Sequence, residues 1–302
     1  MRSGFDKCPA TSTAIVLARA SSLAQPMTAG RAEAFKVFEA EAWSAQARTY
    51  GGLTGAITRR LSESLLDAAG VRSDRRVLDV ATGPGYIAEH AAARGATAVG
   101  IDIAEGMLEL ARQRVGGVEF LRSDAEALPF HDASFDAVVG GFVINHLPHP
   151  QRAVAEATRV LVSGGRVAFS VWDRPERMRM LGVVKEAIDA ADVECVEAIP
   201  AGGPDPYRFA DEGEFRALLE GADLVGVTVA SVEFTHLVAG REELVRGLLG
   251  SSVRTATLLR AMDPAGRRRV DAALERKVEP YRSADGALEL PVAAKLASGA
   301  KP

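Results

Sequence analysis

Val77-Leu78-Asp79-Val80-Ala81-Thr82-Gly83-Pro84-Gly85-Tyr86 decides the fold. Val77 to Val80 read as a buried strand, apolar around a single acid, and Gly83 and Gly85 make the turn that follows. Tyr86 to Arg94 then has helical spacing. A strand, a glycine-rich turn and a helix N-terminus bring bare backbone N–H groups up to a ligand. Ala98-Val99-Gly100-Ile101-Asp102 continues as a second strand ending in an acid. It lies 17 positions after Gly85, where a ribose-binding carboxylate falls in a nucleotide-binding βαβ unit.

Two ligand classes use this architecture. Gly83-x-Gly85-x-x-Ala88 satisfies the dinucleotide pattern, so an NAD(P)-dependent oxidoreductase stands as the alternative. Asp79 argues against it, because an anion-binding turn offers its N–H groups and helix dipole to phosphate and gains nothing from a nearby carboxylate. An acid there suits a ligand with an amino or sulfonium cation and no phosphate, which describes S-adenosylmethionine. A domain whose glycines serve packing alone is the plainer alternative. A third strand, Val118 to Arg122, leads to Asp124 and Ala125. Asp102 and Asp124 are 22 positions apart, and in a doubly wound sheet both stand at strand carboxyl ends over one crevice. Asp102 can accept ribose hydroxyls, and Asp124 an adenine amino group, with the Ala125 N–H donating to a ring nitrogen. Either aspartate alone reads as a turn or cap residue; three acids after three successive strands read as a site.

VLDVATGPG, VGIDIAEGMLELA, LRSDAEALPFHDASFDAVV and LVSGGRVAFSVW, in this order between Val77 and Trp172, resemble the motifs of class I S-adenosylmethionine-dependent methyltransferases. The group they resemble most is the ubiquinone/menaquinone-biosynthesis-like small-molecule methyltransferases. The resemblance implies an α/β fold: a doubly wound, seven-stranded, mostly parallel Rossmann-like sheet whose last strand is antiparallel. It implies Gly83, Gly85, Asp102, Ile103, Asp124 and Ala125 as cofactor contacts, Met107 packed on the adenine, and Asp79 near the methionyl amino group. Phe142 and Tyr50 complete the expected cofactor lining. Ala81-Thr82 departs from the Gly-Cys or Gly-Ser frequent in relatives, which removes some backbone freedom.

Bulk properties agree with a cytoplasmic enzyme acting on a small molecule. The 302 residues suffice for a full α/β core plus extra elements. Lys and Arg number 36 against 40 Asp and Glu, a formal charge of −4 that argues against a nucleic-acid substrate. Cys8 and Cys195 cannot build a disulfide framework, and no apolar run reaches the ~20 residues of a membrane span. Residues 1–30 read as a disordered extension, with a secretory leader the alternative and Met27 a possible natural start. The methyltransferase domain is expected over 31–302. Its parts are lid helices at 31–70, a cofactor-binding core at 71–172, and substrate-cap inserts at 173–209 and 240–283. Trp43 and Tyr50 belong to the lid, lining it or docking on the sheet edge.

Phe135 to Val139 reads as the fourth strand, and Asn145-His146 follows at the end where the transferred methyl should point. His146 is the candidate catalytic base for a phenol, enol or carbon acid; a structural ring at the strand end is the alternative. His146-x-x-His149 is the one metal-like spacing, but Pro148 and Pro150 interrupt it and no metal is expected. Gly140-Gly141-Phe142-Val143 stands where amide and base methylating enzymes carry an Asn/Asp-Pro-Pro-aromatic run, which favours transfer to oxygen or carbon. The inserts should roof the pocket, and Leu248, Leu249, Val253, Leu258, Leu259 and Met262 suggest an apolar or aromatic acceptor, or else a dimer contact. A non-methylating enzyme or a sensor using the same cofactor pocket remains as a further alternative, and a homodimer is possible.

Overall fold

Val77, Leu78 and Val80 are buried in β1 (Arg76–Val80), a central strand of the computed structural model, which describes residues 28–193, 199–200 and 203–302. The other strands are β2 (Thr97–Asp102), β3 (Glu119–Arg122), β4 (Phe135–Gly141), β5 (Leu161–Trp172), β6 (Val225–Val238) and β7 (Leu288–Ala300). They form one sheet in the order β3-β2-β1-β4-β5-β7-β6. β1 to β5 pair in parallel, and β7 runs antiparallel to both of its neighbours, as expected of the last strand. The order reverses at β1, so the crevice over its carboxyl end lies at the switch point of the winding.

Adjacent strand residues point to opposite faces, and here both faces are apolar. Val77, Val139, Ala168 and Leu296 pack against α2 (Thr54–Ala68), α3 (Tyr86–Ala93) and α4 (Glu105–Arg114). Their neighbours Leu78, Val138, Phe169 and Ala297 pack on the other face with α5 (Pro150–Val160) and α7 (Glu212–Glu220). Each such fully buried side chain contributes roughly 1.5–3 kcal/mol. The remaining helices are α1 (Ala29–Gln46), α6 (Arg179–Ala190), α8 (Arg241–Ser251), α9 (Val253–Ala261) and α10 (Pro264–Val278). α6, α8 and α10 share a third apolar cluster with Trp172, Leu288, Leu290 and Val292, which sets the two inserts over the carboxyl edge of the sheet.

The second insert holds three helices, because Ser252 adopts an extended conformation and breaks the run between α8 and α9. β5 starts at Leu161, with the Gly164 turn absorbed as an irregularity in its pairing to β4. Ala29 and Gly30, assigned to the extension, open α1. Residues 1–27, with the proposed start at Met27, and both cysteines lie outside the described residues. No described helix is long and apolar enough to cross a membrane.

Candidate active site

The two turn glycines do different work. Gly83 has φ of 53°, and a Cβ there would meet nothing within 4 Å, so its backbone faces open space beside a cavity. Gly85, with φ of 80°, would press a Cβ against Phe120 of β3 and against Ala111 and Val115 at the end of α4, at 3.1–3.3 Å; its lack of a side chain lets the turn pack on both. Ala81 also takes a left-handed φ, 55°, where a side chain costs about 1–2 kcal/mol, so the departure at Ala81-Thr82 falls on a position that favours glycine.

Asp79 is fully buried beneath this turn. Its Oδ2 accepts from Thr82 Oγ1 at 2.6 Å and from the Ala88 N–H at 3.1 Å, in the first turn of α3. The carboxylate thus occupies the helix N-terminus that a phosphate would need. Its Oδ1 has no hydrogen-bond partner among the described residues. Burial pushes this carboxyl up to about 7, despite the two donors. Asp102 ends β2, accepts from the Gly83 N–H at 2.9 Å and the Ala104 N–H at 2.8 Å, and is pushed by burial to about 6. An unpartnered buried acid oxygen and a second acid short of compensating charge fit a cationic adenosyl ligand such as S-adenosylmethionine.

A cavity of about 920 Å³, its mouth included, opens over the turn. Tyr50, Gly83, Asp102, Ile103, Met107, Asp124, Ala125, Phe142 and His146 all line it. Asp79 and Gly85 do not; they lie beneath the turn. Phe142 carries an unusual φ of 58° and stacks on Trp172 with ring centroids 3.8 Å apart. Tyr50 donates to or accepts from Thr58 at 3.2 Å and sits edge-on to Trp43, and burial raises its hydroxyl to about 12. Asp124 is already engaged: Lys36 from α1 meets its Oδ2 at 2.6 Å and Glu126 at 2.7 Å, while the Glu126 N–H donates to Oδ1. An adenine amino group would therefore share Asp124 with Lys36.

A second cavity, about 740 Å³ with its mouth, adjoins the first beneath the inserts. The two share Trp43, Thr54, His146 and Trp172. Apolar walls come from Leu181, Val184, Ile188 and Leu258, and polar ones from Asn145, Lys185, Tyr207 and Arg254. Of the apolar residues expected from the second insert, Val253 and Leu258 reach this cavity, whereas Leu248 and Leu259 belong to the packed core.

Sequence reading missed the side chains that surround His146. Its Nδ1 lies 2.9 Å from Glu39 Oε2, which also accepts from Trp43 Nε1–H at 2.7 Å. Arg254 approaches Glu39 Oε1 at 3.5 Å and donates to the Asn145 and Pro204 carbonyls. The available signal was an acid on the buried stripe of α1, Ala32-Phe35-Glu39-Gln46. His149 contributes its backbone N–H, to Glu126 at 2.7 Å.

A family model described as a methyltransferase domain matches residues 78–169. A demethylmenaquinone methyltransferase of Renibacterium salmoninarum is 39% identical over 118 residues, covering 39% of this chain and 50% of the relative. A ubiquinone/menaquinone biosynthesis C-methyltransferase of Methylobacterium nodulans is 34% identical over 197 residues, covering 58% of this chain and 77% of the relative. Across such relatives the chain spans from about half to about three quarters of their length. The crystal structure of a putative methyltransferase from Bacillus halodurans shares the fold, with a TM-score of 0.51 and 21% identity over 80% of this chain and 98% of that one.

Proposed function

Because the chain belongs to the class I S-adenosylmethionine-dependent methyltransferases, in the family of the ubiquinone/menaquinone-biosynthesis C-methyltransferases, we propose that it methylates an oxygen or carbon of a small apolar or aromatic metabolite. One observation carries this reading: His146 lies on the boundary shared by two adjoining cavities, one over the glycine turn and one beneath the inserts. The first suits the cofactor and the second the acceptor. When bound, S-adenosylmethionine supplies a sulfonium methyl open to in-line displacement.

The residues of the chain bind, align and take up a proton. Asp102 would receive the ribose hydroxyls, Met107 and Ile103 the adenine faces, and Asp124 with the Ala125 N–H its polar edge. Gly83 leaves room for the ligand, Tyr50 and Phe142 close the cavity, and Asp79 balances the methionyl amino group from below the turn, with Gly85 letting the turn pack closely. Trp172 and the α6 side chains Leu181, Val184 and Ile188 hold the acceptor within about 3 Å of the methyl carbon, where alignment supplies most of the acceleration. His146 takes the proton released by the acceptor hydroxyl or carbon acid.

Incubating the protein with S-adenosylmethionine and a panel of phenolic and enolic acceptors should release S-adenosylhomocysteine and a product heavier by one methylene. His146→Ala should lower kcat about a hundredfold or more with the cofactor Kd unchanged. Methyl release without His146 dependence would leave the transferase and remove the base. Tight binding of NAD(P)H, or cofactor binding with no acceptor methylated, would end the reading. Residence in the cytoplasm and a homodimer belong to the same proposal, and sedimentation velocity tests the latter.

A further inference from the structure

Glu39 is 4% exposed, on a helix whose Arg31, Glu33 and Glu41 all face solvent. A carboxylate so buried costs several kcal/mol unless it is paired and hydrogen-bonded. Its partners come from three separate elements: Trp43 on α1 itself, His146 after β4, and Arg254 on α9. Burial alone would raise its pKa; the charge and hydrogen bond of His146, then Arg254 and the Trp43 N–H, outweigh this and hold the carboxyl below its ordinary range. When the His146 ring is neutral its charge is gone, but Arg254 and the Trp43 N–H still face the carboxylate. An ionised carboxylate only accepts hydrogen bonds, so the His146 nitrogen that meets it, Nδ1, must carry the proton. In the neutral ring Nε2 is then bare. Trp43 also stands edge-on to the imidazole, with centroids 5.5 Å apart at 72°, and fixes its plane.

We propose that Glu39 is a positioning residue for the methyl-transfer reaction, and that docking of α1 supplies the carboxylate that fixes His146 in the tautomer with a free Nε2 for the acceptor's proton. This rests on the reading of His146 as the base. The lid helix therefore completes the proton acceptor as well as covering the cofactor. Lys36, one turn earlier on α1, secures the same docking, because it holds Asp124 and Glu126 while Glu126 Oε1 fixes the His149 N–H just beyond His146. The other charged side chains lining the two cavities are Asp102 and Lys185, and Arg254 faces the far oxygen of Glu39.

Nitrogen-detected NMR of the full chain labelled in its histidine rings tests this without an acceptor, using S-adenosylhomocysteine as the bound probe and His146→Asn to assign the signal. Wild-type His146 should be protonated on Nδ1 when neutral. In Glu39→Gln the Nδ1–H form should lose its dominance. An Nε2–H tautomer in the wild type, or an unmoved tautomer in a folded Glu39→Gln, would overturn the proposal. If that variant fails to fold, the wild-type tautomer alone still decides. With an acceptor in hand, Glu39→Gln should lower kcat about tenfold or more with the KM for S-adenosylmethionine unchanged, and add nothing to His146→Ala. Full activity in His146→Ala sinks the base and leaves the tautomer result intact; the wrong tautomer beside an inactive His146→Ala sinks only the dyad.

Discussion

Asp79 exposes one oxygen to two donors and leaves the other unpartnered, so burial dominates its proton equilibrium and raises it to about 7, with Asp102 at about 6. An acid raised in the folded state contributes stability below its unfolded value, near 3.8, and loses that contribution as pH rises through 6 and 7. The cofactor-free protein should therefore melt at lower temperature at pH 8 than at pH 5.5 from this source, and Asp79→Asn should flatten that part of the profile in thermal scans. Binding a cationic ligand favours the ionised acids, so affinity for S-adenosylmethionine should rise between pH 5.5 and 8, with about one proton released near pH 6.5. Calorimetry in two buffers of different ionisation heat reads that number; zero would show both acids already ionised. Ala81→Gly relieves a left-handed alanine at the same turn and should stabilise by about 0.5–1 kcal/mol in urea melts after the entropy of the added glycine is counted. Asp79, Asp102 and Asp124 were legible in the sequence because each follows a short apolar run at a regular interval. Glu39 was not, since its place on the buried stripe of α1 is weakly marked in a helix that also carries Glu33 and Glu41, and its partners Arg254 and His146 come from distant parts of the chain.

α1 lies against α4 at one point of unusually close approach. A Cβ on Gly106 would meet the Ser44 carbonyl oxygen at 2.6 Å and its Cα at 2.9 Å, both backbone, and the Gly106 N–H donates to Ser44 Oγ at 3.2 Å. In an isolated helix Gly106→Ala would stabilise by about 1 kcal/mol. Here it should instead cost about 1–3 kcal/mol, the usual penalty of overpacking, and should weaken cofactor binding by lifting the lid. A variant as stable as the parent, with unchanged cofactor affinity by titration, would mean α1 docks loosely. The two helices expected at 31–70 were readable from spacing, and α1 and α2 fall there. The break at Ser252 was not, because its cause is distant. Ser251 accepts from the Thr54 N–H at the start of α2 and donates to Thr54 Oγ1 at 2.8 Å, while Gly247 and Gly250 sit on Leu53 and Thr49. Long-range contacts of this kind carry no local signature in the chain.

Across the whole molecule, the sheet supplies a rigid floor and two separate parts of the chain supply the cover. The motif order from β1 to β5 made the floor legible, because each acid lies within two residues of a strand's carboxyl end and the intervals report the crossovers. How α1 and the second insert meet was illegible, and Arg254 is where they do. Its guanidinium faces Glu39, donates to the Asn145 and Pro204 carbonyls, and lies over the Phe35 ring at 5.2 Å. Burial pulls its pKa down, and Glu39 opposes that pull. A side chain so placed couples opening of α1 to opening of α9, since either motion strands a buried charge. Ligand at a hundred times its Kd adds about 2.7 kcal/mol to every opening that must release it, which bounds the protection at about a hundredfold. Saturating S-adenosylhomocysteine should thus slow amide exchange in α1 and α9 by similar factors while leaving the edge strand β6 unchanged. Arg254→Met keeps the apolar contact with Phe35 and removes the charge, so α1 should stay protected by ligand while α9 returns toward its ligand-free rate. Protection of α1 alone in the parent protein would show that the two covers open independently, and that acceptor entry needs no movement of the cofactor lid.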